Sequence, residues 1–101
     1  MNRPTIVGIL RGAKKLLRNK NNHIRGFFEL GDKVCLVGAA RKVAGVGNFY
    51  QTVPPQYFSA VSLLDQAARS LGYHRATDAN DNGGYTVAMK VLRKALKRAE
   101  R

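Results

Sequence analysis

The stretch 34–45, VCLVGAARKVAG, constrains this chain more than any other. Val34, Cys35, Leu36, Val37, Ala39 and Ala40 leave its first two turns without a polar face. A helix that is apolar all round is a buried helix. A chain of 101 residues has room for one modest core, so a helix over 36–44 is expected at its centre. Gly38 and the alanines let neighbouring elements approach its backbone. Arg41 and Lys42 mark its return to water.

The other elements are read around that centre. Pro4 suits the first turn of a helix, where a missing N–H costs nothing. Ile6, Leu10, Ala13 and Leu17 then recur at helical spacing, with Ile9 and Leu16 beside them. Arg11, Lys14, Lys15 and Arg18 fall on the opposite side, which predicts an amphipathic helix over about 4–19. Gly8 and Gly12, four apart, point to close packing. Asn19 to Asn22 is a polar stop, where asparagine can take the left-handed capping conformation. Ile24 to Leu30 reads as a strand, Gly31-Asp32 as a turn, and Lys33 to Cys35 as a short returning strand.

Gly45 to Phe58 reads as a long connection, stiffened by Pro54-Pro55. Its aromatics, Phe49, Tyr50, Tyr57 and Phe58, either fold back over the core edge or form an exposed stacking surface. Folding back is the commoner outcome for such residues. Ala60, Leu63, Leu64, Ala67, Ala68 and Leu71 predict a third helix over 59–71, stopped by Gly72. Tyr73 to Gly84 is polar and loop-like. A last helix is expected from Tyr85 or Thr86, with Val87, Val91, Leu92, Ala95 and Ala99 as its apolar stripe. The expected fold is mainly α (α+β): about four helices around a buried central one, with a small β-hairpin, in a single domain over 1–101.

Charge is the unusual property. Eighteen Lys and Arg against six Asp and Glu give +12. Residues 1–20 hold Arg3, Arg11, Lys14, Lys15, Arg18 and Lys20 and no acid; residues 90–101 hold Lys90, Arg93, Lys94, Lys97, Arg98 and Arg101 against Glu100 alone. The middle of the chain is nearly balanced. Such concentration points to an acidic partner: nucleic acid, an acidic protein surface or an anionic membrane face. Two solvated faces that carry charge only for solubility are the plain alternative. Cations near a helix C-terminus also suit its dipole.

No enzyme class is indicated. The chain has no G-x-S-x-G, no phosphate-cradling glycine loop and few carboxylates to act as acid and base. His23 and His74 lack metal-ligand spacing, and the single Cys35 forms neither a zinc site nor an internal disulfide. A cysteine in an apolar helix is normally inert packing. Asp78-Ala79-Asn80-Asp81-Asn82-Gly83 matches the first half of a calcium loop, but Met89 stands where its bidentate glutamate belongs. A helix-start loop is the simpler reading. The run Ile6 to Leu10, cut by Arg11, is too short for a membrane span or a signal peptide. Catalytic, metal and cofactor residues are therefore expected to be absent, and the setting to be cytoplasmic.

Several pieces stand together. Arg25-Gly26 opens a strand, and Cys35-x-x-Gly38-Ala39 opens the central helix. Leu64 and Ala67-Ala68 lie in the third helix. Asn80-Asp81 precedes a final helix with Thr86 and Val91-Leu92. This set resembles an uncharacterised family of actinobacteria and their phages, domain-of-unknown-function family 6197. The family pattern has a Trp before the Asn-Asp pair and another near His23. Ala79 takes the first place, and the chain has no Trp. The resemblance implies a mostly helical domain with a small hairpin and a phage or actinobacterial setting. It implies no activity.

The expected function is that of a small non-enzymatic accessory protein whose basic helix faces contact nucleic-acid phosphates. Arg93, Lys94, Lys97 and Arg98 are the first candidates, and Lys14, Lys15 and Arg18 the second. The alternative is a modulator that binds an acidic host protein. A helix-turn-helix is not expected, because 45–58 and 73–84 read as connections too long for its turn.

Overall fold

The computed structural model describes residues 5–45 and 53–100. Helix α1 runs Ile6–Leu17, and Thr5 caps it: the hydroxyl accepts from the Gly8 N–H at 2.9 Å. Ile9, Leu10, Ala13 and Leu17 are fully buried. The stop is not a left-handed asparagine, because no described residue other than glycine has positive φ. The Asn19 side chain instead starts a single 3-10 turn, Lys20–Asn22. The carbonyls that any helix end leaves unpaired are met from outside. Asn22 Nδ2 donates to the Leu16 carbonyl at 2.8 Å, and the Tyr85 hydroxyl reaches the Leu17 and Arg18 carbonyls at 2.7 and 3.1 Å.

The hairpin is shorter than the sequence pattern suggests. Strand β1 is Glu29–Leu30 and β2 is Lys33–Val34, antiparallel, with Glu29 opposite Val34. Residues 24–28 are diverted by Gly26, whose φ of 82° turns the chain and whose N–H is held by Asp81 Oδ1 at 2.8 Å. Ile24 still donates to the Val34 carbonyl at 3.0 Å, through an isolated parallel bridge.

Helix α2, Leu36–Ala44, lies where the apolar stretch requires it, and Leu36 to Ala40 are all buried. Cys35 Sγ caps its start by accepting from Gly38 N–H at 3.2 Å, and Gly45, at φ 77°, closes it. This helix touches α1, α3 (Pro55–Ser70) and α4 (Ala76–Ala99). Gly12 does serve close packing: a Cβ there would come within 2.6 Å of the Val43 side chain.

Helix α3 starts at Pro55, four residues before the expected 59, because proline is well placed at a first helical position. Tyr57 folds back into the core, but Phe58, one position on, is exposed. Phe49 and Tyr50 lie outside the described residues.

The largest departure is at 73–84. Ala76 to Gly83 is helical, not a loop, and α4 continues to Ala99 through a break at Gly84 (φ 76°, ψ −167°). Tyr85 thus begins the second limb of a helix already under way. The polar composition hides a small buried stripe, Ala76, Ala79 and Asn80. Asp65 of α3 caps the first limb by accepting from the Ala76 N–H at 2.8 Å, and Asp78 sits in the first turn, where the helix dipole favours it. The calcium-loop match is therefore a helical segment whose Asn80 side chain is already consumed. Millimolar calcium should leave the melting temperature unchanged. A rise that Asp78→Ala abolishes would contradict this. Among the described residues, no group of three His, Cys, Asp or Glu is placed to hold a metal.

The connection between α3 and α4 is only 71–75, so length no longer excludes a helix-turn-helix. Acidity argues against one: the limb that would enter a groove carries Asp78 and Asp81. No described helix is long and apolar enough to cross a membrane.

Candidate functional site

Helices α1 and α4 lie antiparallel. Arg11 Nη2 meets Glu100 Oε1 at 3.1 Å near one end, and Tyr85 meets the last carbonyls of α1 at the other. Between them is a cleft of about 360 Å³, lined by Lys14, Arg18, Tyr85, Thr86, Met89 and Arg93. Arg93 is shared with a second cleft of about 430 Å³, lined by Lys94, Lys97 and Arg98 besides itself. Among the described residues, the basic faces of α1 and α4 therefore adjoin through Arg93. The joint surface gathers all the sequence candidates except Lys15.

Lys15 turns the other way, into a groove between α1 and α2 with Lys42 and Val43. Successive helical residues point about 100° apart, and here that step carries Lys15 from the α4 side of α1 to its α2 side. Among the described residues the one ion pair is Arg11 with Glu100. Lys14, Arg18, Arg93, Lys94, Lys97 and Arg98 make no ion pair with a described carboxylate.

A second constellation is buried. Asn80 Oδ1 accepts from His23 Nε2 at 2.7 Å and from the Leu36 N–H at 3.0 Å. Its Nδ2 donates to the Ile24 carbonyl at 3.0 Å and to Asp81 Oδ1 at 3.1 Å. That geometry assigns the His23 proton to Nε2. Asp81 Oδ1 also holds the Gly26 N–H, and Arg25 Nη2 reaches the Asn82 carbonyl at 3.4 Å. The Arg25-Gly26 and Asn80-Asp81 pairs are thus two halves of a clip. It fastens the 23–26 loop to α4 and to the start of α2.

The polar atoms of Asn80 are all spent on the fold. Cys35 is buried at the start of α2. Burial pushes its thiol up, against the opposing Gly38 N–H, which disfavours the thiolate. Burial likewise pushes the Tyr57 hydroxyl up, with Arg41 opposing.

Sequence reasoning missed two features of the surface. Lys20 and Arg25 extend the cations past Arg18: Lys20 Nζ stands 6.0 Å from the Tyr85 ring centre, and Arg25 crosses to α4. Beyond them Phe27 and Phe28 are 57% and 49% exposed. No local signal marked them, because the Gly26 turn that takes 27–28 out of the strand is held by Asp81, far along the chain.

No curated protein and no solved structure matches the chain. Of the residues that carry the family resemblance, Thr86 is exposed in the α1/α4 cleft and the others have packing or anchoring roles. Cys35 caps α2, Gly38 admits the Phe28 carbonyl, and Ala39, Leu64, Ala67, Ala68, Val91 and Leu92 are fully or almost fully buried in the core. The model of a family of unknown function, DUF6197, matches residues 1–98, and the chain belongs to that family.

Proposed function

We propose that this is a non-enzymatic binding protein whose α1/α4 surface contacts nucleic-acid phosphates. The observation that carries the reading is the shared Arg93, which joins the Lys14/Arg18 cleft to the Lys94/Lys97/Arg98 cleft. Cations held together without acidic partners form a strong positive field, and phosphates bound there release condensed counterions. Phosphate contacts fix position without reading sequence, so binding is sequence-tolerant.

Fluorescence anisotropy with labelled oligonucleotides across a salt series tests this. Affinity should fall steeply as salt rises. Charge reversal of Arg93, Lys94, Lys97 and Arg98 should weaken binding about equally for all sequences and barely change stability. No binding tighter than about 100 μM at low salt, the weak edge of non-specific association, would overturn the reading. An acidic protein would then be the partner to seek.

A further inference from the structure

The run of cations leads to an aromatic pocket. From Arg18 it passes Lys20 beside Tyr85, then Arg25 against α4, and reaches Gly26. There Gly26, Phe27, Phe28, Cys35, Thr77 and Asp81 line a pocket of about 420 Å³. Both phenylalanine rings are exposed, at the cost of unburied apolar area.

The chemistry of the lining narrows the occupant. The Asp81 carboxylate disfavours a phosphate. An organic cation is disfavoured by the net charge of +12 and by the Arg41 guanidinium, which already lies 5.4 Å from the Phe28 ring centre. A flat, neutral ring with N–H donors at its edge meets neither objection. Such a ring can stack on phenylalanine, and the lining residues Thr77 and Asp81 supply acceptor chemistry for its edge.

We propose that this pocket takes an unpaired nucleobase from a single strand whose backbone follows the cations from the α1/α4 surface. The proposal rests on the reading of that surface as a phosphate site, and it names the ligand as single-stranded. A base inside a duplex is stacked on both faces and paired along its edge, so it offers the pocket nothing.

The chain has no Trp, so Phe27→Trp gives a single reporter at the pocket. It is titrated with a single-stranded oligonucleotide and with a duplex of the same length, while anisotropy follows binding. The single strand should quench the tryptophan emission and the duplex should not. Phe27→Ala should weaken single-strand binding by about 5- to 150-fold, the range for loss of one base–aromatic stack. Its duplex affinity should be unchanged. A single strand that binds by anisotropy, yet leaves the emission and the Phe27→Ala affinity unaltered, would overturn the pocket proposal and spare the phosphate surface. If neither oligonucleotide binds, both readings fall.

Discussion

Asn80→Ala should lose about 3–6 kcal/mol of stability, because it orphans the Leu36 N–H and the Ile24 carbonyl and opens a small void. Unsatisfied buried polar groups cost about 1–3 kcal/mol each. Asn80 is completely buried, so water cannot readily replace it. A small domain has only about 5–15 kcal/mol in all, so the variant should be largely unfolded at modest urea concentrations. Asn80→Asp sharpens the test. It keeps an acceptor for Leu36 and His23 but loses the donor to Ile24, and it buries a carboxylate beside Asp81. It should therefore also destabilise. Equilibrium urea unfolding measures both, and a loss below about 1 kcal/mol for Asn80→Ala, no more than one ordinary hydrogen bond, would mean that the clip does not hold the fold.

Gly38→Ala should destabilise by about 2–4 kcal/mol, although glycine to alanine inside a helix ordinarily gains nearly 1 kcal/mol. The sign reverses because the added Cβ would collide with the Phe28 carbonyl. That carbonyl is fixed by the Cys35 N–H at 3.1 Å, so the loop cannot retreat without breaking a buried hydrogen bond. A thermal midpoint equal to or above that of the unaltered protein would show that the 26–28 loop does not lie against α2.

What the sequence could reveal followed from how each element is held. Helix α2 was legible to the residue, since its burial is written in its own apolar run. The apolar periods of α1 and α3 placed those helices to within a few residues. The first limb of α4 was not legible. Its stripe is two alanines and an asparagine, and Asn80 is buried only because His23, Ile24 and Leu36, all distant in sequence, bring it partners. The hairpin was overextended for a related reason: the Gly26 turn is fixed by Asp81, far along the chain. At the candidate site, the residue types were legible but their grouping was not. Lys14 and Lys15 look equivalent in sequence, and only the approach of α4 separates them.

The central claim is that α1 and α4 act as one phosphate surface. The most direct test is the slope of log K against log salt concentration for a short duplex, measured for three variants. Each phosphate contact removed should lower the magnitude of the slope by about 0.9. Neutralising Lys14 and Arg18 together should therefore reduce it about as much as neutralising Arg93 and Lys97 together, while Lys15→Gln should leave it nearly unchanged. Equal slopes for all three variants and the unaltered protein, or a drop confined to the α4 pair, would contradict a surface shared by the two helices.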